Sequence, residues 1–191
     1  ENPDVIVYRA CSITQTAQSR SEHSIKAIKR LHPNAEVRVK GCLPGLKCDA
    51  RKQDIPIDLI PMGTSRAYLK VQDGCSGKCT YCIVPQFRGL PHSISFQSLI
   101  ERSKNFIAAG YHEVVVTGCN LALYHSEGKG LVQLLDALAS LDENVRIRLG
   151  SYEPCAYDND LIKVFADHKN ICRFLHISLQ SASDNILKRM N

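Results

Sequence analysis

Between Ala67 and Leu179 the sequence repeats one pattern: a short run rich in β-branched residues, then a stretch with apolar residues three and four apart. Ala67–Gln72 reads as a strand. Ser95 caps a helix whose one face carries Phe96, Leu99, Ile100, Ser103, Phe106 and Ile107, with Gly110 as its stop. Val114–Thr117 is a strand, and Leu131, Leu134, Leu135, Leu138 and Leu141 mark the next helix. Val145, Ile147 and Leu149 alternate with Arg146 and Arg148, a strand with one polar face. Leu161–Asp167 reads as a helix, Arg173–Leu179 as a strand, and Asp184 opens a last helical turn. Strands joined by helices must run parallel, because only a long crossover returns the chain to the same end of the sheet. Such sheets collect their chemistry at the carboxyl ends of the strands. The pattern alone does not separate an open sheet from a barrel.

The first of these strands runs into Gly74-Cys75-Ser76-Gly77-Lys78-Cys79-Thr80-Tyr81-Cys82, a C-x3-C-x2-C run followed by Pro85, Arg88 and Gly89. Three thiolates on one short loop can hold a metal group from one side, and a missing fourth ligand leaves a position open to a small molecule. Structural zinc favours paired C-x2-C motifs or C-x2-C with paired histidines, and only His92 lies close downstream. Ferredoxin spacings differ as well. The chain has nine cysteines, an odd count, and no secretory leader, so disulfides are disfavoured and a reducing, cytoplasmic setting is expected. An iron–sulfur site is the favoured reading, with zinc as the alternative.

Upstream, Asp4–Ala10 predicts a buried strand. Ser12 with Gln15 predicts a capping box, and Ala17, Ser21, Ile25, Ile28 and Leu31 follow at helical spacing. His32-Pro33-Asn34 stops that helix, and Glu36–Lys40 predicts a second strand ending at Cys42. Cys11 and Cys42 would then stand side by side at two strand ends. Residues 49–66, with Pro56 and Pro61, read as a linker between a small unit at 1–48 and the unit at 67–191. Hydrophobic residues make up 44%, enough for a core, and a net charge of +5 suits an anionic partner without requiring one. No apolar run reaches membrane-spanning length. Neither end reads as a domain boundary, so a piece of a longer chain is expected.

Gln72-Asp73-Gly74-Cys75 through Cys79, Tyr81-Cys82-Ile83-Val84-Pro85 and Arg88-Gly89 resemble the cluster loop of radical S-adenosylmethionine enzymes. More narrowly, they resemble its methylthiotransferase branch, where the loop reads close to QDGC-x3-C-x-YCI-x-P-x2-RG. Val114–Gly118, Arg148–Pro154, His176–Ser181 and Ile186–Asn191 resemble further motifs of that branch. Ala10–Thr14 and Lys40–Cys42 resemble two of its three N-terminal cysteine motifs. The resemblance covers nearly the whole chain. It implies an α/β fold: an incomplete βα barrel, of which about the first four strands are present, preceded by a small, shortened α/β N-terminal domain.

The resemblance further implies that Cys75, Cys79 and Cys82 bind a 4Fe-4S cluster whose open iron chelates S-adenosylmethionine. One electron would then split the sulfonium and release a 5′-deoxyadenosyl radical. It implies cofactor contacts for Tyr81, against an ordinary packed aromatic, and for Thr117 and Gly118, against plain turn chemistry; Glu153, Gln180 and Ser181, at strand ends, could contact the cofactor or serve as polar caps, and Arg88 could meet an anion or form a surface salt bridge. It implies an auxiliary cluster at Cys11 and Cys42, and it points to no catalytic side chain. Cys119, Cys155 and Cys172 read as inert core thiols. The implied reaction adds a 2-methylthio group to N6-threonylcarbamoyladenosine beside the anticodon of tRNA. The electron donor would be a flavodoxin or ferredoxin, and neither a membrane nor DNA is expected as a partner. Isopentenyladenosine tRNA and a ribosomal protein are the alternative substrates. A non-catalytic iron–sulfur or zinc module and an inactive fragment are the alternatives of another class. Two departures stand out: only 33 positions separate Cys42 from Cys75, and Arg9-Ala10-Cys11 stands where the family has Asn-Thr-Cys.

Overall fold

A computed structural model describes residues 3–42, 65–154 and 159–191. The chain divides into two compact units: Glu1–Asp54 with Cys82–Gly89, and Ile55–Tyr81 with Leu90–Asn191. Of the linker expected at 49–66, residues 49–64 lie outside the described residues, and Arg66 already begins a strand.

In the first unit, β1 (Val5–Ala10) and β2 (Glu36–Gly41) pair in parallel, joined by α1 (Gln15–Leu31). β1 is not the buried strand expected. Only alternate residues are covered, and Val5 and Val7 are exposed, because the single helix shields one face of a two-stranded sheet. The helix cap also differs from expectation. Thr14, not Ser12, accepts the Ala17 N–H (3.1 Å). Ser12 is buried and spends its hydroxyl on the Cys42 carbonyl (2.7 Å), which leaves it nothing to cap with. Gly41 has φ +101°, and a Cβ there would stand 2.3 Å from the Ala10 carbonyl oxygen. Only glycine fits where the two strand ends draw together. In the same unit α2 (Val84–Arg88) is a short helix with Pro85 in its first turn, closed by Gly89.

The second unit is built on a four-stranded sheet in the order β4-β3-β5-β8. β3 (Arg66–Asp73), β5 (Glu113–Gly118) and β8 (Arg146–Leu149) run parallel, while the two-residue β4 (His92–Ser93) pairs antiparallel at the edge. α3 (Phe96–Ala108) and α4 (Leu131–Ala139) are the crossovers. Ser95 caps α3 through its hydroxyl as expected, and the turn at Gly110 (φ +84°) closes it. A small hairpin, β6 (His125–Ser126) and β7 (Lys129–Gly130), precedes α4. After Gly150 the line of β8 resumes as β9 (Ser151–Tyr152), followed by α5 (Asn159–Asp167).

The strand expected over Arg173–Leu179 is realised in pieces. Ile171 bridges Ile147, and β10 (His176–Ile177) pairs with β9, both in parallel. The Ser151 hydroxyl meets His176 Nδ1 at 2.8 Å across that pair. Four parallel rows therefore stand side by side, as the first half of a βα barrel requires. The core lies between the sheet and its helices: Leu69, Val71, Val114, Val116, Ile147 and Leu149 meet Leu99, Leu134, Leu135, Leu138 and Leu161. α6 (Asp184–Met190) ends the described chain and carries hydrogen bonds to the thiol loop: Thr80 N–H to the Met190 carbonyl (3.0 Å) and Asn191 Nδ2 to the Lys78 carbonyl (3.3 Å).

Candidate functional site: a thiol loop at the carboxyl end of the sheet

The register of β3 against β5 shifts between Lys70 and Gln72, so that Lys70 faces Thr117 and Gln72 faces Gly118. The shift ends the alternation of inside and outside, and Val71, Gln72 and Asp73 are all buried. A bulge of this kind turns a side chain toward a face it would otherwise miss. Here it turns Gln72, fully buried, into the base of the loop. Gln72 Nε2 donates to the Asp73 carbonyl (3.0 Å) and the Gly74 carbonyl (2.6 Å), while Oε1 accepts the Asn120 N–H (2.9 Å). Asp73 is buried beside it. Its Oδ2 pairs with Lys70 Nζ (2.6 Å), and its Oδ1 accepts the Gly74 N–H (3.0 Å) and the Cys119 thiol (3.1 Å). Each buried polar atom of this base is matched, which is what fixes a loop that has no regular structure of its own.

Cys75 and Cys79, which follow this base, and Cys82, the first residue of the segment counted with the other unit, are all partly exposed free thiols. A Cβ placed on Gly77 would stand 3.2 Å from Cys75 Sγ and 3.8 Å from Cys79 Sγ. The two sulfurs therefore flank a glycine that leaves room between them, and the Gly77 N–H already points at Cys75 Sγ (3.2 Å). Cys82 lies three positions after Cys79 and immediately precedes the turn into α2. Among the described residues no three His, Cys, Asp or Glu side chains converge as ligands of a single ion. Soft thiolates on one short loop, with the Gly77 N–H aimed at the Cys75 sulfur, form a donor set whose chemistry fits an iron–sulfur cluster.

The other expected site residues fall into place unevenly. Thr117 and Gly118 end β5, level with Lys70 and Gln72 of β3. The space beside Gly118 is filled by protein: a Cβ there would meet Leu121 at 3.0 Å and the Gln72 carbonyl oxygen at 3.1 Å. Packing alone accounts for that glycine. Glu153 follows β9 and is half-buried. Gln180 is exposed after β10 and has φ +61°, a left-handed conformation uncommon for a residue with a side chain. Ser181 follows it, with its hydroxyl accepting the Ser183 N–H (3.1 Å). Tyr81 is 54% exposed. Arg88, at the end of α2, is half-buried.

Cys11 and Cys42 do come side by side within their unit, since Ala10 pairs with Gly41 and the Cys42 N–H bonds the Ala10 carbonyl (3.2 Å). Ser21 bonds both the N–H and the carbonyl of Cys11 (3.0 Å each). Cys42 is buried and Cys11 exposed.

Of the thiols expected to be inert core residues, Cys172 is buried. Cys119 is exposed, because the loop after β5 turns it toward Asp73 instead of the core. Cys155 lies outside the described residues. Cys48 does too. Sequence reasoning missed Gln72 and Asn120 as the braces of the loop. Their partnership spans 48 positions and has no periodic signal.

Two further grooves, of about 550 and 480 Å³, lie elsewhere. The larger is basic, with Arg146, Arg148, Lys169 and Arg173 beside Phe174. Arg148 reaches from it to buried Glu113 (2.5 Å), which also meets Arg66 (3.2 Å). Burial pushes the Glu113 carboxyl up, but the Arg148 hydrogen bond and the charges of Arg148, Arg66 and Arg146 outweigh it and hold the group below 4.5. A carboxyl with a lowered folded pKa stabilises the fold above its ordinary value and loses that contribution as pH falls below it. Urea titrations should therefore show Glu113→Gln less stable by about 1 kcal/mol at neutral pH, with the gap closing in acid below pH 4.5. A gap independent of pH would refute the ion-pair account.

A parallel βα sheet that carries a thiol loop at the carboxyl end of its first strand has the layout of a cofactor-dependent α/β enzyme core. The comparisons with known proteins agree. The chain belongs to the radical SAM superfamily, whose model matches residues 69–191. A second model, described as uncharacterized protein family UPF0004, matches residues 1–61. Among similar proteins, the threonylcarbamoyladenosine tRNA methylthiotransferase MtaB of Chlamydia pneumoniae is 29% identical over 98% of this chain and 51% of its own length. The protein of that name from Bacillus subtilis (strain 168) is 30% identical over 100% of this chain and 52% of its own. A tRNA-2-methylthio-N(6)-dimethylallyladenosine synthase of Rickettsia rickettsii (strain Sheila Smith) is 34% identical over 75% of this chain and 33% of its own. The chain thus spans about half the length of the first of these relatives. In fold it resembles a radical S-adenosylmethionine methyltransferase, TsrM, of Kitasatospora setae (TM-score 0.53, 16% identity), over 63% of this chain and 23% of that one.

Proposed function

We propose that this chain is the cluster- and cofactor-binding part of a cytoplasmic tRNA methylthiotransferase. The reaction would add a 2-methylthio group to N6-threonylcarbamoyladenosine next to the anticodon. The observation that carries this reading is the pair of sulfurs on Cys75 and Cys79 flanking Gly77, at the end of the strand where the superfamily match begins. The threonylcarbamoyl branch is favoured because relatives so named align over nearly all of this chain at 28–30% identity.

In this reading Cys75, Cys79 and Cys82 hold a 4Fe-4S cluster, and Cys11 and Cys42 contribute to an auxiliary one. When bound, the first cluster supplies the electron for reductive cleavage of S-adenosylmethionine. This chain's own residues then bind and orient. Thr117 and Gly118, partly exposed at the carboxyl end of β5, would contact the methionyl part of the cofactor. Glu153 offers a carboxylate to hydroxyl or amino groups of the cofactor, Gln180 an amide, and Tyr81 an exposed ring for the adenine. The tRNA anticodon loop is the macromolecular substrate, and a flavodoxin or ferredoxin the electron source. The reading is tested by anaerobic reconstitution with iron and sulfide, followed by electron paramagnetic resonance of the reduced protein. A four-iron signal that shifts when S-adenosylmethionine is added is the expected result. A signal indifferent to it would refute the proposal.

A further inference from the structure

We infer that Asn120 is a positioning residue for the thiol loop, whose side-chain amide donates to the Cys75 sulfur and raises the reduction potential of the group held there. The inference rests on the cluster reading above and deepens it. Asn120 is 7% exposed, and three contacts define its pose. Its backbone N–H goes to Gln72 Oε1 (2.9 Å), and its Oδ1 accepts the Ala122 N–H (3.1 Å). With Oδ1 committed as an acceptor, the orientation of the amide is settled, and the NH2 group must face the other way. It faces Cys75 Sγ at 3.9 Å. The same sulfur takes the Gly77 N–H at 3.2 Å. Two N–H dipoles thus converge on one sulfur, one of them from a side chain that the protein buries.

Adding one electron to a cluster held by Cys75 increases the negative charge on its sulfurs. No proton and no covalent bond need move. The electron comes from a low-potential one-electron donor, dithionite in the experiment below. N–H groups aimed at sulfur stabilise the reduced form more than the oxidised one, and so raise the potential. The Gly77 donor is backbone and cannot be removed by substitution. The Asn120 donor can. Cys79 has no such side-chain donor among the described hydrogen bonds, so the effect is specific to one corner of the loop.

The test is a redox titration of the reconstituted full chain with dithionite, followed by electron paramagnetic resonance. Asn120→Ser keeps a short oxygen to accept the Ala122 N–H and loses the donor. Asn120→Asp keeps the acceptor and turns a second oxygen toward the sulfur. Both are expected to bind as much iron as the unsubstituted chain. Both midpoints should move to more negative potential, further for Asp than for Ser. At a fixed dithionite potential the reduced fraction should fall in the same order. An unshifted midpoint in both variants, with iron content intact, would overturn this inference and leave the cluster reading standing. Loss of iron from both variants would assign Asn120 a purely structural part and overturn it as well. An unsubstituted chain that takes up no four-iron cluster would overturn the reading, and this inference with it.

Discussion

Alanine at Cys75, Cys79 or Cys82 is expected to lower the iron bound after anaerobic reconstitution by about four atoms per chain. A cluster with three protein ligands has no spare one, so each single substitution should behave like the triple. Two controls separate ligation from folding. Cys172→Ala removes a thiol that is 4% exposed in the core; it should cost stability, by about 1 kcal/mol, and no iron. Cys119→Ala removes a thiol that bonds Asp73 at 3.1 Å next to the loop, and should also leave iron content unchanged. Retention of iron in Cys82→Ala would sink the three-ligand assignment. Equal loss in Cys172→Ala would show that the assay was reporting unfolding.

Gln72→Leu is expected to be the most damaging single change outside the thiols. Leucine nearly matches the volume but offers no polar atom. The Asp73 and Gly74 carbonyls and the Asn120 N–H would be left buried without their partner. At about 1 kcal/mol or more for each orphaned group, the loss is about 3 kcal/mol. Gln72→Glu tests the direction of the bonds. A carboxylate can still accept from Asn120 but cannot donate to two carbonyl oxygens, so this variant should be equally unstable at neutral pH. It should recover part of its stability in acid, where a protonated carboxyl can donate once. Urea denaturation from neutral to acidic pH reads both. A cost below about 1 kcal/mol for Gln72→Leu would mean that the loop is held by something other than this side chain.

What the sequence displayed and what it hid divide along physical lines. Apolar residues three and four apart along Phe96–Ala108 and Leu131–Ala139 place both crossover helices, and Ser95 marks the start of one, because each signal is local. The thiol loop is legible for the same reason: its three cysteines sit within eight residues of one another. Ser12 misleads because a serine three before Gln15 is a sound local cap, yet its hydroxyl is claimed by Cys42, 30 positions away. The break in the last strand follows from its place at the edge of the sheet, where Ile171 bridges β8 and His176–Ile177 pair with β9. The braces at Gln72 and Asn120 were hidden because a bulge turned one and a loop delivered the other. Neither carries a pattern until the strands are side by side.

The hydrogen bonds that tie Lys78 and Thr80 to Met190 and Asn191 span 110 residues or more. Synthesis delivers the chain from one end, so the loop leaves the ribosome long before the residues that clasp it. Until then the Thr80 N–H and the Lys78 carbonyl lack these partners. The clasp on the thiol loop is thus among the last contacts that translation makes possible: it can form only after residue 190 has been made.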